Sequence, residues 1–199
     1  TFHTGALYQD FGKALITSAR PKKLNKAELE QYNVMLEEQA FPFEEKAIDL
    51  FEANARRAAA GVYDAWVKKS YAALAEMKPG RYARIESLDG ADATAVTPPE
   101  VAPQFTAARE SLEADRNEEA REMLLAAMQL DPTNPAGLNR LGIAERRLGR
   151  FAAARAAYER AIAADPAYAG PERNLAVLLD LYLGEPAQAL AHYERYQSL

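Results

Sequence analysis

A chain of 199 residues with 49% hydrophobic content is long enough for a substantial core, and its net charge of −5 argues against generic nucleic-acid binding, which shows as a basic footprint. It has no cysteine, which excludes disulfides, thiolate metal sites and cysteine nucleophiles. No apolar run approaches the roughly 18–20 residues of a membrane span, so no transmembrane segment is expected. Alanine is abundant and long β-branched runs are missing, a composition that favours helices. The chain begins Thr1-Phe2-His3 without methionine, as a processed or trimmed product would, and it stops at Leu199 inside a helical run, which suggests truncation or a disordered tail.

In chain order, residues 5–19 carry a helical pattern with Leu7, Phe11, Ala14 and Leu15 on one face, broken by Pro21-Lys22-Lys23. Asn25 is an N-cap, and Glu28 three residues on makes a capping-box start for a second helix lined by Leu29, Tyr32, Leu36 and Ala40. Pro42 is expected to end that helix, with a third over about 43–60 carrying Phe43, Ala47, Leu50, Phe51 and Ala58. Gly61 marks a turn. A fourth helix, about 63–77, places Trp66, Ser70, Ala73, Leu74 and Met77 on its buried stripe, with the indole filling the hairpin interior, and Pro79-Gly80 ends it. Residues 87–100, SLDGADATAVTPPE, are poor in large apolar side chains and form the best linker. The domain reading is therefore an irregular helical N-terminal region (1–86), a linker (87–100) and a regular array (101–199).

The array is organised around residues 134–168. Leu138, Leu141 and Leu148 line a first amphipathic helix, and Phe151, Ala154, Tyr158, Ala161 and Ile162 line a second. Gly142 and Ala154 leave room for the helices to cross, Gly149 makes the turn, and Asp165-Pro166 closes the hairpin. Pro132 and Pro166 are 34 residues apart, as are Ala120 and Ala154, Leu124 and Tyr158, and Ala127 and Ala161. The units are 101–134, 135–168 and 169–199. In the third, spacings lengthen by one residue, and the loop Gly184-Glu185-Pro186 is the expected place for the extra one.

With Leu141-Gly142, Gly149, Ala154, Tyr158, Ala161 and Pro166 in place, the middle unit resembles the tetratricopeptide repeats, whose pattern has a 34-residue period. It departs at Leu138, where an aromatic is usual, and at Glu145, where a tyrosine is usual. The resemblance implies an all-α solenoid of antiparallel helical hairpins, a superhelix with a concave groove lined mainly by first helices. It also implies a non-catalytic scaffold that binds a partner peptide or helix. The third and fourth helices, about 43–60 and 63–77, look like a degenerate repeat or a related α-hairpin, with Trp66 where the repeat has alanine at the crossing. LEEQAFPFEEKAIDLFEANARR (36–57) with GVYDAWVKKS (61–70) looks like repeat proteins of the bacterial cell envelope, which suggests a periplasmic or membrane-anchored setting, with a cytoplasmic one as the alternative.

Catalytic chemistry finds no footing. His3 and His192 are far apart, and Glu44-Glu45 and Glu118-Glu119 sit in first helical turns, where carboxylates favour the helix dipole. No phosphate loop, HExxH, EF-hand or serine elbow is present, and no cofactor is expected.

Charge is uneven along the array: −4 over 101–134, +3 over 135–168 and −2 over 169–199. The family's inner-face periodicity points Asn139, Arg140, Ile143 and Arg146 into the groove, with Arg147 at its edge and Arg109, Arg173 and Asn174 contributed by the flanking units. Guanidinium and carboxamide groups there suit an acidic or carboxylate-bearing protein or peptide partner. The set resembles the carboxylate clamp of chaperone-binding members, but Phe105, Arg109, Arg140, Gly170 and Asn174 depart from it, so a heat-shock chaperone tail is not expected. Alternatives are an ordinary solvated face paired with acids of the preceding unit, a structural subunit packed by its outer face into a larger complex, or an accessory domain of an enzyme.

Overall fold

The computed structural model describes residues 2–84, 86, 88 and 97–199, and every regular element among them is helical. They group into two units: Thr1–Arg57 with Val62–Ala83, and Ala58–Gly61 with Arg84–Leu199.

The first unit contains α1 (Phe2–Thr17), α2 (Lys26–Ala55), α3 (Ala65–Met77) and the short α4 (Pro79–Tyr82). The capping box is present: the Glu28 N–H donates to Asn25 Oδ1 at 3.0 Å, and the Asn25 N–H donates to Glu28 Oε2 at 2.9 Å. Pro42 does not end the helix. α2 runs unbroken for 30 residues with the proline inside it. A proline there costs about 3 kcal/mol. Docking offsets this, because one partner spans the proline: Gly12 of α1 lies against Ala40 and Glu44, and Gly5 lies against Phe51. Leu36, Ala40, Ala47 and Phe51 are buried along that stripe.

The buried face of α1 also differs from expectation. Leu7 and Phe11 are exposed, and the face turned to α2 carries Gly5 and Gly12. At Gly5 the close approach depends on the missing Cβ, since one added there would lie 2.9 Å from the Phe51 ring, whereas one at Gly12 would make ordinary contact with Glu44 at 3.4 Å. In α3 the buried stripe is Val67, Ser70, Tyr71 and Leu74, and Trp66 is 40% exposed instead of filling the interior. Asp64 sets this register by accepting from the N–H groups of Trp66 (3.0 Å) and Val67 (2.9 Å), which starts the helix at Ala65. Ser70 is tolerated at a buried position because Asn54 Nδ2 donates to its hydroxyl at 2.9 Å and that hydroxyl donates to the Trp66 carbonyl at 2.9 Å. The indole packs against the rings of Phe2 and His3, with Lys69 Nζ 4.8 Å from its centroid.

The second unit contains α5 (Ala102–Glu113), α6 (Asn117–Leu130), α7 (Pro135–Arg147), α8 (Phe151–Ala164), α9 (Ala169–Val177), a π-helical continuation Leu178–Leu183, and α10 (Pro186–Ser198). α5–α6, α7–α8 and α9–α10 are antiparallel hairpins stacked in order, with the first helices α5, α7 and α9 meeting one another in turn. Within the middle hairpin the Tyr158 ring occupies the space a Cβ at Gly142 would need, so the small residue is what lets α7 and α8 close. Each first helix ends on a left-handed residue: Asp115 (φ 56°), Gly149 (φ 79°) and Gly184 (φ 69°). At Asp115 the strain is eased by Asn117 Nδ2, which donates to the Asp115 carboxylate at 2.7 Å.

The extra residue of the third unit is not in the loop. Gly184 precedes Ala189 by the same five positions that separate Gly149 from Ala154, so the insertion lies upstream, and the end of the first helix takes it up as the wider π turn Leu178–Leu183. Leu178, Leu179 and Tyr182 of that turn are buried.

Candidate site: a carboxylate between two arginines

The sequence-derived groove residues divide into three groups. Asn139, Asn174 and Ile143 are fully buried. Asn174 Nδ2 donates to Asn139 Oδ1 at 2.9 Å, and Asn139 Nδ2 donates to the Tyr168 hydroxyl at 2.8 Å, which ties α7 to α9. Arg109, Arg140 and Arg173 are exposed or half-buried: Arg109 Nε donates to Glu113 one turn along α5 at 2.9 Å, and Arg173 lies over the Tyr196 ring. Arg146 and Arg147, in the last turn of α7, converge on a carboxylate of this same chain, Glu86.

The Arg146 guanidinium forks both Glu86 oxygens, Nε to Oε1 and Nη2 to Oε2, each at 2.6 Å. Its third edge, Nη1, donates to the Tyr182 hydroxyl at 2.8 Å, and its plane lies over that ring. Arg147 Nε donates to Glu86 Oε2 at 3.1 Å, while its Nη1 donates to the Leu112 carbonyl at 2.7 Å, which fixes its direction from α5. The Glu86 side chain is 6% exposed and that of Arg146 14%, so the pair is largely withdrawn from water. There a fork-on-fork contact is among the strongest polar interactions available to a protein. The π turn brings Tyr182 to this point.

Two residues before Glu86, Arg84 makes a second anchor. Its Nη1 donates to Asp180 Oδ2 at 3.2 Å and to the Tyr193 hydroxyl, and its guanidinium covers the Tyr193 ring. Arg84 and Glu86 therefore grip the third and second hairpins respectively, with opposite charges.

The field at the site is visible in its neighbours. Burial opposes the Arg146 charge, yet Tyr182 and the Glu86 carboxylate raise its pKa above the ordinary guanidinium value. The Tyr158 phenol is pushed well up, first by burial and then by the Glu86 charge. The Tyr158 hydroxyl has no hydrogen-bond partner among the described residues.

Other charges bind the array together. Arg150 reaches back to Glu118 at 3.1 Å, and Glu145, in the place where the repeat pattern has tyrosine, is buried against Arg121 (2.8 Å) and Arg150 (3.6 Å). So arginines of the positive unit do pair with acids and other groups of the preceding one. His192 Nδ1 lies 2.6 Å from the buried Glu172. Among the described residues, no three His, Asp or Glu gather as metal ligands, and no helix is long and apolar enough to cross a membrane.

Neither Arg84 nor Glu86 nor Tyr182 is singled out by sequence reasoning. Arg84 and Glu86 fall after the last helix of the N-terminal part, where no periodicity applies. The one available signal for Tyr182 is the single-residue lengthening of the third unit.

These features define a stacked array of helical hairpins whose first helices, with the turn after α9, hold a carboxylate. Residues 135–168 match the tetratricopeptide repeat family, and this hairpin is a tetratricopeptide repeat. Among solved structures the chain is similar to one mutant of MamA, at 18% identity over 76% of this chain and 96% of that one with a TM-score of 0.46. It is also similar to a second MamA mutant, at 19% identity over 98% and 96% with a TM-score of 0.45. No curated protein matches the chain.

Proposed function

We propose that this protein is a non-catalytic scaffold whose concave face, built from α5, α7 and α9, receives an acidic or carboxylate-bearing peptide or helix of a protein partner. The observation that supports this reading is the fork of Arg146, backed by Arg147 and Tyr182, which already grips a carboxylate on the inner helix of a tetratricopeptide repeat. Nucleic acid is not the expected partner, given the acidic chain. In the same proposal the protein works in the periplasm or on a membrane, as the pattern of its N-terminal sequence suggests. Fractionation of the tagged full-length protein tests that location.

The functional test is affinity purification of full-length protein, wild type against Arg140→Glu with Arg173→Glu. Both are half-buried, and neither belongs to the Arg146–Glu86 pair. Partner recovery should fall at least tenfold, with helicity by circular dichroism retained, and capture by the wild type should weaken as salt rises. Undiminished capture by the double variant would favour a structural subunit in a larger complex, packed by outer-face residues such as the exposed Leu125, Leu130 and Leu190.

A further inference from the structure

The residues that periodicity assigns to the groove are not open in this structure. Asn139 and Ile143 have no exposed surface, and Arg146 is engaged on every edge of its guanidinium. Two residues of the stretch just before the three hairpins reach into them. Glu86 lies between Arg146 and Arg147, and Arg84 lies between Asp180 and Tyr193. Arg84 and Glu86 are two positions apart, the spacing that puts side chains on one face of an extended chain. The receptor is complementary to that pair: cations on α7 for the acid, and an acid with an aromatic platform on the third hairpin for the base.

We propose that Arg84 and Glu86 are a built-in ligand that occludes the groove, and that the partner is an extended peptide with a basic and an acidic residue two apart, which binds by displacing them. This rests on the groove-binding reading above and names the chemistry of its ligand. A tethered segment competes at roughly millimolar effective concentration. The resting protein is therefore a weak binder, and the affinity of the site is set by how readily the segment leaves.

The probe is a fluorescein-labelled synthetic peptide with the sequence of residues 82–90, YARIESLDG, titrated into the full chain and followed by anisotropy. Arg84→Gln with Glu86→Gln should bind it at least tenfold more tightly than the wild type. The same peptide with glutamine for its glutamate should lose that binding, and the authentic peptide should raise the melting temperature of the double variant but not of the wild type. Equal affinity of wild type and variant, or equal binding of both peptides, overturns the proposal, as does a folded variant that binds neither.

If the double variant does not fold, Arg84→Gln alone leaves the Arg146–Glu86 pair intact. It should then bind at least threefold more tightly than the wild type, and no change overturns the proposal. The two readings fail separately. Partner capture that depends on Arg140 and Arg173 without peptide binding removes only the built-in ligand. Peptide binding with capture indifferent to those arginines removes only the scaffold reading.

Discussion

The hairpins α1–α2 and α7–α8 both bring two helices close on glycines, but what fills the gap differs. Gly5 admits the Phe51 ring, and Gly12 lies against Ala40, Phe43 and Glu44. Gly142 admits Tyr158, whose ring reaches toward a buried ion pair. Packing of the first kind is set at Gly5 by fit against an apolar ring. In the second kind, fit and charge satisfaction are linked, so a change at one affects the other.

The largest expected effect separates these two cases. Arg146→Ala leaves the Glu86 carboxylate buried with only Arg147, and breaking a buried pair in this way costs about 3–5 kcal/mol. Urea denaturation should show that loss, whereas Lys13→Ala, which removes an exposed pair between α1 and Glu76 of α3, should cost less than about 1 kcal/mol.

Next in size are the glycines. Gly142→Ala drives a methyl into the Tyr158 ring and should destabilise by about 1–3 kcal/mol. Gly12→Ala meets its nearest neighbour, the flexible Glu44 side chain, at 3.4 Å; the gain in helix propensity of up to about 1 kcal/mol should leave it neutral or stabilising. Equal losses at the two sites would erase the contrast between the hairpins.

The register of α3 supplies a smaller pair. Val67→Ala should cost about 2 kcal/mol and Trp66→Ala about 1 kcal/mol or less, despite the larger side chain removed, because Val67 is buried and Trp66 is 40% exposed. Melting temperatures of the two variants check the order.

The smallest effect is a pH dependence in the first unit. Burial would raise the Glu52 pKa, but the 3.0 Å contact with Lys78, with help from Tyr82 and Arg81, holds it below its ordinary value. A carboxyl depressed on folding adds stability that is full above its unfolded pKa, near 4.5, and is lost as pH falls through the folded value. Glu52→Gln should therefore flatten the acid limb below about pH 4.5, by less than about 1 kcal/mol.

The array was legible because a 34-residue template fixes what each position does. Gly142 is a close-packed position between α7 and α8, where its neighbour is Tyr158, and Gly149 makes its turn. The N-terminal helices have no such template, and there large apolar residues were assigned inward by size. Leu7, Phe11 and Trp66 instead face out, because glycines in α1 and the Asp64 cap in α3 set the faces. Pro42 misled for a related reason: local helix-breaking lost to a docked neighbour that spans it. At the site, Arg146 and Arg147 were visible as charges on a face, but Glu86 was not, since its partners lie 60 and 61 residues away in sequence. Asn139 and Asn174 were named for the groove, and their amides bind each other and Tyr168.

The central claim is that a guanidinium on the inner helix of the middle repeat is locked onto a carboxylate of the same chain. The ¹H–¹⁵N correlation of the arginine Nε groups tests it most directly. The Arg146 Nε–H should appear as a sharp, slowly exchanging resonance in the wild type, distinct from that of exposed Arg109, and should lose its protection in Glu86→Gln. An Arg146 resonance that exchanges as fast as Arg109 in the wild type, or one unchanged by Glu86→Gln, would contradict the account.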